Sequence, residues 1–273
     1  MFKFNLFLFI ICSLMIAFAQ NQEEIDIEDL TVPFQTGVAV YDIATNTYYR
    51  YNTEQCETRF SPASTFKIPN SLIGLQTGVL TDTTFIIEYD SIKYPIDPED
   101  ANKEPYKHWN KAQSLRSAFK LSCVWYYREV AKRIGEEEMR RYIDKLGYGN
   151  KDISSGTDNF WLCGSIKISI NEQIEILKKL YLNMLDGFSR ETIDKVKSLM
   201  LYESTENYKL YGKTGYGNCW KDKNIGWYVG FVETKTGPKV FALNLIGSSD
   251  MLKDNFRIVL TKRILKKLGF IEY

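Results

Sequence analysis

Only one of the 273 residues is histidine, and that scarcity removes several kinds of chemistry at once. A zinc hydrolase built on clustered imidazoles cannot be assembled from His108 alone, and no C-x-x-C pair supplies the missing ligands. A Ser-His-Asp triad would have to recruit His108, which lies in the polar segment Asn102 to Lys111 and reads as a surface residue. Any hydrolytic base here is therefore something other than histidine. An excess of charge of either sign is missing too. With 35 Lys+Arg against 34 Asp+Glu, the net charge of +1 leaves neither a basic stripe for nucleic acid nor an acidic tail. The charged run from Arg133 to Arg141 reads as a solvated helix face. Internal repeats, low-complexity tracts and linkers are absent as well.

Long apolar runs are confined to the N-terminus. Lys3 supplies a positive start, Leu6 to Ile16 is almost unbroken apolar sequence, and Ala17-Phe18-Ala19 has the small-x-small form of a signal-peptidase site. The run is shorter than the roughly 20 residues a membrane span needs, and a polar acidic stretch follows it. Residues 1–19 are accordingly expected to be a cleaved signal peptide, with residues 20–273 as one exported, periplasmic domain and no stable membrane anchor. Cys12 does not make a lipoprotein site, because bulky Ile11 precedes it. Cleavage leaves Cys56, Cys123, Cys163 and Cys219, whose spacing is not that of a small disulfide scaffold. Three pairings are open, and so is the free-thiol state.

Strand character gathers at the two ends of the exported chain. Thr36 to Asn52 alternates like two strands around the turn Ala44 to Thr47, while Tyr208 to Gly215, Ile225 to Thr234 and Lys239 to Gly247 read as further strands. Met251 to Gly269 reads as a closing amphipathic helix, and the helical pattern between the strands is clearest at Ser114 to Ile134, Glu136 to Leu146, Asn171 to Leu185 and Arg190 to Leu201. This order implies an α/β (α+β) fold: a sheet assembled from distant chain ends, flanked by helices, with a helical lobe inserted.

Two short patterns carry chemistry, and each occurs twice. A chain of average composition is expected to contain about one S-x-x-K by chance, and this one has Ser64 to Lys67 and Ser117 to Lys120. Positions i and i+3 share a helix face, so either serine can meet its lysine. Ser64 follows the break Ser61-Pro62 and should stand at a helix start, where free N–H groups favour developing negative charge; Ser117 falls inside a helical pattern whose N–H groups are used. K-T-G occurs at Lys213 to Gly215 and at Lys235 to Gly237. Tyr216 after the first can donate a backbone N–H to an oxyanion, whereas Pro238 after the second cannot, so the second reads as a hairpin turn.

Taken together, Ser64-Thr65-Phe66-Lys67, Ser122-Cys123-Val124, Tyr148-Gly149-Asn150 and Lys213-Thr214-Gly215 resemble the class D (oxacillinase-type) serine β-lactamases in order and spacing. The segment Tyr148 to Ser169, with Phe160-Trp161-Leu162, is similar to that family's omega-loop region. The resemblance implies the serine β-lactamase/D,D-peptidase fold and hydrolysis of β-lactams such as penicillins and oxacillin. It makes Ser64 the nucleophile, Lys67 the general base, Ser122 and Lys213 the relay to the leaving nitrogen, and the N–H groups of Ser64 and Tyr216 the oxyanion hole. Thr214 and Arg257, with Lys213, would face the substrate carboxylate, the guanidinium fork suiting two oxygens. No prosthetic group or metal is implied; carbon dioxide or bicarbonate would carboxylate N6 of Lys67. Trp161 would donate its indole N–H to that carbamate, with Val124 and Leu162 as a dry wall.

Val124 stands where class A enzymes and penicillin-binding proteins have the asparagine of S-D-N. Cys123 and Cys163 lie close in sequence to expected site residues, and Phe231 stands where many members of the family have tryptophan. Tyr148 and Asn150 are expected to be architectural. The rival readings are a D,D-peptidase or β-lactam sensor domain that acylates without fast turnover, and an exported binding domain without chemistry. Substrate spectrum and oligomeric state stay open at this stage.

Overall fold

The computed structural model describes residues 20–220, 223–247 and 255–272. The expected signal peptide and the start of the closing helical pattern lie outside them. In chain order the elements open with β1 (Asn21–Glu24), α1 (Glu28–Thr31), β2 (Gln35–Asp42), β3 (Thr47–Tyr51) and α2 (Thr53–Glu57). A 3-10 turn (Ala63–Phe66) then runs into α3 (Lys67–Gln76). The helical lobe holds the short pair β4 (Ile86–Ile87) and β5 (Gln113–Ser114), then α4 (Leu115–Lys120), α5 (Val124–Ile134) and α6 (Glu136–Leu146). After it come α7 (Ile170–Tyr181), α8 (Arg190–Met200), β6 (Leu201–Ser204), β7 (Tyr208–Trp220), β8 (Lys223–Thr234), β9 (Gly237–Gly247) and α9 (Phe256–Lys267).

The main sheet has seven strands in the order β1-β3-β2-β9-β8-β7-β6. N-terminal β2 pairs with C-terminal β9, Val38 opposite Leu243, which closes the sheet from both ends of the chain as the strand pattern implies. One pairing departs from the antiparallel expectation: β1 runs parallel to β3. Successive strand residues point to opposite faces, and the sheet uses both. Ala39, Trp227, Val229, Phe231, Val240 and Ala242 face the helical lobe, while Val38, Val40, Tyr228, Val232, Phe241 and Leu243 pack on the side of α9. Burial on both faces explains why these strands read as nearly continuous apolar runs.

Two sequence expectations change in ways that matter for the site. The single helix expected over Ser114 to Ile134 is two helices, broken at Leu121 to Cys123, with Ser122 in the left-handed region at φ 55°. Apolar residues continue through the break, so the periodicity gave no sign of it. The strands expected over Tyr208 to Gly215 and Ile225 to Thr234 are longer than the pattern implied, β7 running on to Trp220 and β8 starting at Lys223. The helix over Asn171 to Leu185 also ends early, at Tyr181, and is opened by a capping box in which Ser169 and Glu172 satisfy each other's backbone N–H groups.

Candidate active site

The first serine-lysine pair is assembled and the second is not. Ala63, in the left-handed region at φ 47°, turns the chain into the 3-10 segment, and the Thr65 N–H donates to Pro62 O at 3.1 Å. Along residues 61–70 every residue is buried except Ser64, which is partly exposed. Its hydroxyl is thus presented from a turn whose other side chains fix it in the core. Lys67 Nζ lies 2.8 Å from Ser64 Oγ. Ser117, by contrast, is in the first turn of α4; its hydroxyl donates to Gln113 Oε1 at 2.7 Å and its N–H binds Ser114 Oγ. Lys120 is exposed, so this copy of the pattern is a helix cap.

Lys67 is completely buried. Burial penalises the ammonium and pushes it down to about 7, so near neutral pH a large share of this lysine is a neutral amine. Cys123 is the acidic group next to it, but burial pushes that thiol up to about 12, so it stays protonated and offers no counter-charge near neutral pH. Helix α5 supplies the floor: Nζ lies 5.3 Å from the centre of the Tyr127 ring, and the hydroxyls of Tyr127 and Ser71 are 2.9 Å apart. Ser71 in turn donates to Lys67 O at 2.7 Å.

The break between α4 and α5 projects Ser122 toward the sheet, where Lys213 Nζ approaches its Oγ at 3.1 Å. Lys213 is buried on β7, and its ammonium is held well below the usual lysine value by burial first, then by the charges of Lys67 and Arg257. Its Nζ also donates to Thr214 O at 3.1 Å. Strand β7 runs against the Ser64 turn because Gly215 has no side chain: a Cβ there would come within 2.9 Å of Pro62 O and 3.1 Å of Thr65 Cγ2. Tyr216, the next residue, is therefore carried past the nucleophile turn. Arg257, from the first turn of α9, donates through Nη1 to Gly215 O. Burial lowers its guanidinium to about 10, its Nε is buried without a partner, and no carboxylate pairs with it among the described residues. The buried Arg257 guanidinium beside Lys213 on β7 makes a site that favours an anion.

The segment after Tyr148 closes the other side. Phe66 stacks on Trp161 with ring centres 5.5 Å apart and meets Tyr148 and Phe160 edge-on at 5.3 and 4.9 Å. The residue immediately before Lys67 is thereby wedged under the Phe160-Trp161 corner. Asn150 is architectural, accepting from the Lys167 N–H at 2.9 Å and donating to Ser165 O at 3.0 Å. Val124, at the start of α5, and Leu162 are partly buried at the edge of the same core cluster. His108 is a surface residue, with Nε2 3.3 Å from Glu104 Oε1. Lys235 and Thr236 occupy the turn between β8 and β9, as the following proline implied.

Sequence reasoning missed three contributors. Phe66 and Tyr127 are ordinary core residues in the sequence. Ser61 is polar but buried, donating to Trp161 O at 3.2 Å and accepting from the Cys163 N–H at 3.2 Å. Of the open cysteine pairings, the structure selects Cys163–Cys219, and Cys56 and Cys123 are free and buried.

A serine hydroxyl paired with a buried amine, and backed by a strand carrying K-T-G, is the arrangement expected of a serine acyl-transfer site. Consistent with it, residues 35–268 match the penicillin-binding protein transpeptidase domain. Among individual proteins, the chain is similar to beta-lactamase OXA-48 of Klebsiella pneumoniae, with 41% identity over 79% of this chain and 77% of that protein. It also resembles regulatory protein BlaR1 of Bacillus licheniformis, 35% identical over 77% of this chain but only 33% of that protein. A class D beta-lactamase from Sebaldella termitidis superposes with a TM-score of 0.82 at 33% identity, covering 93% of this chain and 100% of that one. The chain belongs to the class D β-lactamase family.

Proposed function

We propose that the protein hydrolyses β-lactams, penicillins and oxacillin-type compounds among them, through an acyl-enzyme on Ser64. The observation that carries the reading is the 2.8 Å approach of Lys67 Nζ to Ser64 Oγ in a setting that lowers the lysine to about 7. A neutral amine at this distance can take the hydroxyl proton as the oxygen attacks the β-lactam carbonyl carbon. The developing oxyanion is received by the N–H groups of Ser64 and Tyr216. When the ring C–N bond breaks, the nitrogen takes its proton from Ser122, which Lys213, 3.1 Å away, resupplies. Arg257, Lys213 and the Thr214 hydroxyl hold the substrate carboxylate, an anion matched to the two buried basic side chains.

Water must then release the acyl group, and this requires a base at position 67 again. The residues present suit carboxylation of Lys67: its amine is buried and readily neutral, and Phe66, the residue before it, stacks on Trp161. Carbon dioxide held as the N6-carboxylate would supply an anionic base for both half-reactions. Trp161 offers an indole N–H to anchor such a group, and Val124 and Leu162 limit water around it. No prosthetic group enters this scheme.

Residues 1–19 act as an export signal, and residues 20–273 work as a single domain in the periplasm. The reading rests on the positive start at Lys3, the apolar run Leu6 to Ile16 and the small-x-small Ala17-Phe18-Ala19. Similarity to BlaR1 favours one alternative, a sensor that acylates and stays acylated. Intact-protein mass spectrometry with excess benzylpenicillin over time, beside Ser64→Ala, separates the two. An adduct absent from the variant that disappears after many equivalents are consumed is the expected result; a persistent stoichiometric adduct would favour the sensor, and no adduct would remove the role of Ser64.

A further inference from the structure

The Cys163–Cys219 disulfide joins two parts of the site that lie 56 residues apart in the chain. Cys163 follows Leu162 directly and Trp161 by two positions; Cys219 is on β7, three residues beyond Tyr216. The bridge sits over Gly217. A Cβ on that glycine would come within 2.6 Å of Cys219 Sγ, 3.1 Å of Cys163 Sγ and 3.9 Å of Ala63 Cβ, so the sulfurs, β7 and the nucleophile turn converge at one point.

The loop carrying Trp161 is secured from two sides. Upstream, Asp158 forms ion pairs with Arg128 at 2.8 Å and Lys132 at 3.0 Å, both on α5. Downstream, the tie to Ser61 consists of two neutral hydrogen bonds at 3.2 Å, and the bridge is the only disulfide among the described residues. Cys163 also holds a left-handed backbone at φ 61°, a conformation a non-glycine residue keeps only when its surroundings enforce it. Its side chain is exposed, so the bridge is within reach of reductants.

We propose that the Cys163–Cys219 disulfide is a positioning strap that holds Trp161 against the Lys67 end of the site, so that carboxylation of Lys67 depends on the bridge. The proposal rests on the carboxylation reading above. Cutting the strap leaves the loop attached by hydrogen bonds on that side, and the indole then samples positions from which it no longer steadies the modified lysine. Loss of a supporting contact of this kind weakens a bound group by about ten-fold or more in comparable sites. The reaction would slow at low bicarbonate and recover at high bicarbonate, because modification and not the acylation machinery is impaired.

The test compares oxidised protein, the same protein reduced by a phosphine after folding, and the double variant Cys163→Ser with Cys219→Ser. Each is titrated with 13C-bicarbonate while the carbamate resonance is followed by NMR and hydrolysis is assayed in parallel. Expected is a shift of about ten-fold in half-saturating bicarbonate, with a weaker carbamate resonance at any fixed concentration and near-normal rate at saturation. A melting temperature that falls while half-saturation stays put would mean the bridge only stabilises the fold, and the proposal is wrong. Failure of both bridge-free forms to stay folded would lead to the same conclusion. If oxidised protein itself shows no carbamate resonance and no bicarbonate response, the carboxylation reading fails and this proposal falls with it; a response equal in all three forms sinks the strap alone.

Discussion

Replacing Lys67 with methionine should abolish hydrolysis yet make the folded protein more stable, by an amount that shrinks as pH rises. The side chain is fully buried and its ammonium is lowered from 10.5 to about 7 by loss of solvent. In the unfolded chain a lysine keeps its proton to about pH 10.4. Below pH 7 both states are protonated, and the folded state carries the whole cost of a buried charge. At 1.36 kcal/mol per pH unit, a gap of three to four units amounts to roughly 4–5 kcal/mol. Between pH 7 and the unfolded value the folded protein has already released the proton while the unfolded chain has not. Stability of the parent protein therefore rises through that window. Methionine has a similar volume and no charge, so it removes the penalty with little repacking. The stability advantage of Lys67→Met should fall by roughly 2 kcal/mol between pH 7 and pH 9. Lys213 acts in the same direction, since part of its own lowering comes from Lys67. Denaturant titrations of both proteins at several pH values in carbon-dioxide-free buffer measure the difference. A gap that does not change with pH, or a variant less stable than the parent at pH 6, would refute the assignment of Lys67 as a desolvated, readily neutral amine.

Other outcomes follow from the same geometry. Arg257→Ala removes the charged fork next to Gly215, and loss of a charge-assisted contact worth about 1.5–3 kcal/mol should raise KM for penicillins by about ten-fold or more with a smaller change in kcat; steady-state kinetics decide. Phe66→Ala empties the wedge beneath Trp161 and should cost about 3–5 kcal/mol of stability in denaturant titrations, with loss of activity even where the variant remains folded. Trp161→Ala should deepen the dependence of activity on added bicarbonate, whereas a rate unaffected by bicarbonate together with an unmodified Lys67 by mass would remove the carbamate from the mechanism. Peptide mapping without reductant should recover Cys163 linked to Cys219, and Cys56 and Cys123 should resist alkylation until the protein is unfolded.

The sequence by itself determined the chemistry and the outline of the fold. A single histidine excluded imidazole-based hydrolysis, and the paired motifs could be separated by local rules: a proline after one K-T-G, and a break before Ser64 where Ser117 fell within a helical pattern. That Ser117 sits in the first turn of its helix, spent in a cap, was a finding of the structure. Strand patterns at both ends implied a sheet assembled from distant chain ends, because apolar patterning marks extended core segments; which strands meet, β2 against β9, was decided by the fold. Tertiary structure decided what local pattern cannot encode. The break that turns Ser122 toward Lys213 lies within continuous apolar sequence, and its left-handed serine is held there by packing. The depressed ammonium of Lys67 depends on burial in the folded chain, where Tyr127 of α5, far away in sequence, comes beneath it. The choice of Cys163–Cys219 among the possible pairings likewise required two distant segments to meet over Gly217. Residue types and short spacings set which reactions were available; burial and long-range contact, which are properties of the folded chain, set which copies of those residues can perform them.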